Sequence, residues 1–161
     1  MKRVCVIFAV ISAFLLFISL CFASQTSNSN SAALKGLKTM FVLVEDLPQK
    51  AADMGLTAER IKTETEAKLR GEGISVPDYS YEDPYLDISV NVVNMAFSVE
   101  VSLRESVVLK RDKSINCRAA TWLNSVTGVH SDNPNCIVDG LQALLDSFVH
   151  DYYQANPKNK Q

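Results

Sequence analysis

Three carboxylates in this chain could converge on one sheet edge. Glu45 and Asp46 follow the apolar run at residues 40–44, and Asp78 follows a second short apolar run at 74–76. Carboxylates at the carboxyl ends of strands can be tuned apart in pKa for acid–base work, or can hold a hard cation. Solvated strand ends give the same pattern, and nothing in the sequence predicts a walled cleft around them. His130 and His150 are the only histidines. The first lies in a loop rich in Gly, Ser, Asp and Asn, and the second is spaced to face solvent from the last helix. No GxSxG motif is present, and neither histidine has a cysteine or serine beside it in a nucleophile signature, so no hydrolytic triad is expected. Gly71-Glu72-Gly73 ends a helix instead of starting one, and so reads as a stop signal, not a phosphate cradle. No cofactor site is expected.

Two further sets of side chains could act by contact. Tyr79, Tyr81 and Tyr85 are interleaved with Glu82 and Asp83. Tyrosine offers large contact area at low entropy cost, so this stretch suits a protein surface, or else folds back over the sheet edge. Trp122 has the same two readings, an exposed anchor or a side chain packed under a loop. Cys117 and Cys136 are the cysteines that follow the N-terminal apolar run. In an oxidising compartment such a pair forms a structural disulfide when the Cα atoms lie within about 7 Å. Two buried thiols are the alternative, and the absence of a CxxC motif argues against a metal.

The elements that must position these residues divide the chain into a leader and one domain. Lys2 and Arg3 precede an uncharged stretch from Val4 to Ala23, and Cys21-Phe22-Ala23 places small residues where a signal peptidase reads them. Residues 1–23 therefore read as a signal peptide cut before Ser24. The stretch is also close to the ~20 residues that span a bilayer, and Cys21 near its end leaves lipidation open, although Leu20 is not the small residue that processing favours. Each alternative places the domain outside the cytoplasm, in the periplasm or secreted. Membrane contact is expected only if the segment stays uncleaved or is lipidated.

Residues 24–36 are polar and low in complexity, and read as a flexible tether; 37–157 read as a single domain and 158–161 as a disordered tail. The whole chain has a net charge of −2, and residues 1–23 hold two of its basic and none of its acidic residues, so −4 remains after them. With no basic stripe, a nucleic-acid partner is not expected.

Within the domain, residues 40–44 are apolar at consecutive positions, as in a strand covered on both faces. Thr57 is placed as a helix N-cap, with Ile61, Thr65 and Leu69 on one stripe and Lys68 and Arg70 in the last turn. Residues 74–76 read as a second strand, parallel to the first through a right-handed crossover. Leu86, Ile88, Val90 and Val92, then Phe97, Val99, Val101 and Leu103, alternate with polar residues, which predicts an antiparallel hairpin turning near Asn94. Its second strand is expected to run on to Leu109, with a bulge near Glu105 and a polar turn at residues 111–114. Residues 117–124 read as a further strand. Pro134 opens a final helix whose apolar face is Ile137, Leu141, Leu144, Leu145, Phe148 and Tyr152, ended by Pro157. The expected fold is α+β, in the order β-α-β-β-β-β-α. It has a mixed sheet of about five strands and two helices on one face.

Several stretches carry a resemblance. Phe41-Val42-Leu43-Val44-Glu45-Asp46-Leu47, Gly55-Leu56-Thr57, Leu69-Arg70 and Gly73-Ile74 resemble a group of secreted bacterial proteins of unassigned function. Ala120-Thr121-Trp122, Phe148-Val149-His150-Asp151-Tyr152-Tyr153 and Ala155-Asn156-Pro157 are similar to it too. More distantly, the arrangement resembles small α/β domains of cell-envelope assembly proteins, such as the N-terminal domain of the Tol-system propeller protein. That likeness is one of fold, and fold does not fix function. Export, one small domain, a flexible tether, candidate contact aromatics and the lack of a chemical motif point to a non-catalytic protein that binds an envelope partner or scaffolds an assembly. A small-molecule or metal-binding module at Glu45, Asp46 and Asp78 is the alternative, and an unrecognised hydrolase comes last.

Overall fold

The computed structural model describes residues 24–27, 31–77 and 84–157. The signal-peptide reading of residues 1–23 therefore concerns residues outside those described, as do Asp78, Tyr79, Tyr81 and the tail at 158–161. Strand β2 (Phe41–Val44) leads into a short helix α1 (Gln49–Asp53) and then α2 (Ala58–Gly71). Strands β3 (Tyr85–Val93), β4 (Ala96–Leu109) and β5 (Asp112–Val129) form a meander, and α3 (Asn135–Ala155) closes the domain. These four strands make the body of a mixed α+β sheet. A further edge strand, β1 (Ser24–Ser27), gives the order β1-β5-β4-β3-β2. Among the strands of the described residues, only the β2–β3 pair is parallel.

Both long helices lie on one face, as the alternation implies. Leu86, Ile88, Val90, Phe97, Val99, Val101, Leu103, Trp122 and Val126 form one buried cluster with Ile61 and Leu69 of α2 and the apolar face of α3. Removing this apolar area from water is the main term that favours the fold. Thr57 caps α2 as expected, its Oγ1 accepting from the Arg60 N–H at 3.1 Å, and Gly73 sits beyond the helix at φ +84°. Lys68 of α2 reaches Asp146 of α3 at 2.6 Å across the outer side of the helix layer.

Two local readings are corrected, and the bulge expected near Glu105 is located. Residues 74–76 form no strand. Ile74 and Val76 are buried, but among the described residues their stretch pairs through a single parallel bridge, Thr39 with Ser75, and β2 takes β3 as its parallel neighbour in the sheet. A three-residue apolar run ended by proline looks the same whether it pairs or merely plugs the core. Ser24–Ser27, read as tether, runs antiparallel along β5; backbone pairing at an edge needs no apolar side chains, so the composition holds no sign of it. The bulge lies between Leu103 and Arg104 in register, where Thr121 is the extra residue on β5.

Strand β5 is also much longer than residues 117–124. β3 ends its pairing at Tyr85↔Arg104, while β4 and β5 continue through Val107↔Cys117 to Leu109↔Asp112. Among the described residues this hairpin end pairs only with itself. It forms a two-stranded arm reaching about 17 Å past the sheet at ~3.3 Å per residue.

Candidate interaction sites

The acidic end of β2 is only partly assembled. Glu45 and Asp46 are exposed, and the Glu45 N–H donates to Ile88 O at 3.0 Å, which continues the parallel ladder. The carboxylate that meets Glu45 is Asp87, which the sequence did not single out. Asp87 sits on the sheet face opposite the helices, its side chain 7% exposed, with Oδ2 2.6 Å from Nε of Arg104. Its Oδ1 has no hydrogen-bond partner. Burial is the main cause that raises the Asp87 pKa; Arg104 opposes the rise and the nearby Glu45 charge adds to it. Among the described residues no three His, Cys, Asp or Glu side chains are grouped to hold a metal.

The sign of the resulting pH dependence is fixed. A folded carboxyl that holds its proton more tightly than the unfolded chain stabilises the fold as pH falls from above its folded pKa towards the ordinary carboxylate value. Wild type should therefore gain stability relative to Asp87→Asn over that interval, measured by urea unfolding at stepped pH. A difference independent of pH, or one of opposite slope, would contradict it. Asp112 and Asp132 act in the other direction. Ser114 holds the Asp112 pKa down and Lys50 that of Asp132, so their contributions are lost at lower pH.

Two aromatic contact candidates are corrected. Trp122 is 1% exposed, edge-on to Phe148 with ring centroids 5.0 Å apart, and its Nε1–H donates to Asp151 Oδ2 at 2.9 Å. Asn124, two residues further along β5, also lies under α3, where its Nδ2 donates to Ser147 Oγ at 3.0 Å. Tyr85 is buried as well, stacked on Phe41 at 5.1 Å with the Arg118 guanidinium over its ring at 5.2 Å. Neither ring is offered to a partner.

The disulfide is corrected too: Cys117 and Cys136 are free thiols. The reason is the length of β5. Helix α3 returns along that strand, with Gly140 beside Val126, Ser147 on Asn124 and Asp151 on Trp122. Cys136 lies a turn before Gly140, while Cys117 lies five residues beyond Trp122 on the arm. Nine strand residues from Val126 to Cys117 span roughly 30 Å, far beyond the Cα limit for a bridge. Thiol labelling of unfolded, unreduced mature domain is expected to find both cysteines reactive; an unlabelled pair would contradict this.

Two surfaces remain, at opposite ends of the sheet. One is the arm, with exposed Val108 and Ile115, and with Lys110, Arg111, Lys113 and Arg118 against Glu105 and Asp112. At its tip, Asp112 Oδ1 accepts from the Ser114 N–H at 3.0 Å and from its hydroxyl at 2.7 Å, which orders the irregular turn. The other is the end bearing the Asn94 turn. There Val93, Met95 and Val129 are 68%, 57% and 52% exposed. A depression of about 450 Å³ opens beside them, lined by Val93, Ala96, Phe97, Thr127, Gly128 and Val129 among others. It does not reach Glu45 or Asp46, nor does a second depression of about 330 Å³ beside Lys35, Lys38 and Glu105.

His130 holds the apolar end in place: it lies in the loop just beyond β5, as read, and its side chain is fully buried. Its Nδ1 accepts from the Asp132 N–H at 2.9 Å, so Nε2 carries the proton and donates to Asn94 O at 2.8 Å. The His130 N–H also donates to Met95 O at 2.9 Å. Both ring nitrogens are thus occupied by backbone groups, which leaves no free base there. The signal available in the sequence was Asn94-Met95 as a two-residue turn facing a histidine at the end of the partner strand. His130→Ala should cost about 1–3 kcal/mol in urea unfolding, because the Asn94 carbonyl and the Asp132 N–H lose the buried ring that joins them. An unchanged stability would contradict that role.

No family model matches the chain, and no curated protein matches it. Among solved structures it is similar to the PelC L103M dodecamer from Paraburkholderia phytofirmans. The identity is 15% and the TM-score 0.37, over 86% of this chain and 98% of that one. Among the described residues no helix is long and apolar enough to cross a membrane.

Proposed function

We propose that this chain is an exported envelope domain that works by binding another protein, not by catalysis, and that the β4–β5 arm is its contact. The observation that carries the reading is the arm itself, a ribbon that outruns the sheet and exposes Val108 and Ile115 among basic side chains. A strand edge that exposes apolar side chains is an aggregation hazard, and the usual remedy is a covering strand or partner. Its chemistry suits a partner with an apolar slot and an acidic rim, bound by strand addition or side-chain insertion. Export rests on residues 1–23, and the absence of a nucleophile motif together with the engaged His130 supports a non-catalytic role.

A photo-reactive amino acid in place of Ile115 should crosslink a discrete protein in intact envelope, while one in place of Glu59 on the exposed side of α2 should not. Val108→Asp should abolish the adduct. Equal adducts at both positions, or adducts indifferent to Val108→Asp, would overturn the reading.

The unpaired Asp87 Oδ1 beside Glu45 favours a second reading, a module for a small cation or donor ligand at the end of β2. Calcium or magnesium at millimolar concentration should then raise the melting temperature, and Glu45→Gln should abolish the rise. With two exposed carboxylates and no grouped ligands, we expect no shift.

A further inference from the structure

The chain enters the sheet at its apolar end. In β1, Ser24 pairs with Thr127, two residues from Val129, and Ser27 pairs with Asn124 deeper in the sheet. In sequence the uncharged run from Val4 to Ala23 comes directly before Ser24, which enters the sheet at the end that carries Val93, Met95 and Val129. No polar spacer separates the two, because Ser24–Ser27, the first residues of the stretch read as a tether, pair in the edge strand. Cys21 precedes Ser24 by three residues, a reach of at most about 10 Å.

We propose that this end of the sheet lies on the lipid surface, and that the N-terminal segment is retained, either as an apolar span or as an acylated Cys21. Three observations point the same way. The exposed apolar side chains gather where the apolar chain arrives, and the remaining two-residue turn, Asn94-Met95, is pinned by buried His130 so that Met95 stands outward. The polar residues that line the depression, Asn91, Ser98 and Thr127, are uncharged, and nearby Asp132 is ion-paired with Lys50 at 3.0 Å. With a net charge of −4 after residue 23, the domain has no electrostatic attraction to anionic lipid, so its contact must be apolar and tether-assisted. A single acyl chain holds a protein only marginally, and an apolar patch beside it supplies the second signal. Tethering also raises the effective concentration of the patch at the surface without any new contact. The arm then points away from the membrane, towards a partner.

This inference is independent of whether the arm binds protein, and the same molecules test both. The full chain, isolated from envelope and reconstituted in vesicles of phosphatidylethanolamine and phosphatidylglycerol, would carry a diazirine amino acid in place of Met95 or Ile115. Lipid adducts at position 95 should exceed those at 115 by about tenfold. Val93→Ser with Val129→Ser should reduce them without lowering the melting temperature, since both side chains are exposed. Intact mass tells the two forms of retention apart, one keeping the apolar run and the other beginning at an acylated Cys21. An envelope protein beginning at an unmodified Ser24, or equal lipid adducts at both positions, would overturn the proposal.

Discussion

Trp122→Ala is expected to destabilise the domain by about 4 kcal/mol, a large share of the roughly 5–15 kcal/mol that holds such a domain together. The indole is fully enclosed between the sheet and α3, in edge contact with Phe148, which stacks in turn towards Tyr152 at 6.5 Å. Truncation opens a cavity in a densely packed layer and also leaves the buried Asp151 carboxylate without its donor. Trp122→Phe separates the two effects. It keeps most of the packing but removes the N–H, and should cost about 1.5–3 kcal/mol, the range for a hydrogen bond to a charged group. Asp151→Asn in the Trp122→Phe background should add little, because the pair has already been broken. Urea denaturation of the four proteins measures all of this. A Trp122→Ala loss below about 1 kcal/mol would mean that the ring is not core, as the exposed-anchor reading held.

The second large effect concerns binding. Val108→Asp with Ile115→Asp should weaken partner capture by about a hundredfold or more, since charges placed at the centre of an apolar contact must be desolvated without a counter-ion. Stability should change by less than about 0.5 kcal/mol, because both side chains are exposed. The informative pattern is loss of capture with an unchanged melting curve. Loss of both would mean that the arm is structural, and retention of both would move the contact elsewhere.

The sequence was most legible where burial imposes a period. The apolar face of α3 and the alternation of β3 and β4 follow from one-sided packing, and Thr57 with Gly73 marked α2 because cap chemistry is local. What it did not show was decided by distance. The pairing of β5 with β1 involves backbone groups of polar residues, and the two cysteines, near in sequence, are carried apart by a strand longer than its apolar core. Asp87 was hidden because a polar residue within an alternating strand reads as solvated. Only the approach of Arg104 and Glu45, one on a neighbouring strand and the other just past the end of β2, makes it a buried group. Trp122 misled for the converse reason: its neighbours Asn124 and Asp151 are polar yet buried, paired across the helix–sheet boundary. His130 lay in a loop by composition, although its ring is the fixed point of that end of the sheet.

The most direct test of an exported domain with an exposed arm tip is limited trypsin digestion of intact cells, spheroplasts and lysate. The arm turns at Lys110-Arg111, which is exposed and readily cut. We predict protection in intact cells and cleavage in spheroplasts, giving two fragments that meet at this turn. Protein that stays whole in spheroplasts and is cut only after lysis would contradict the account.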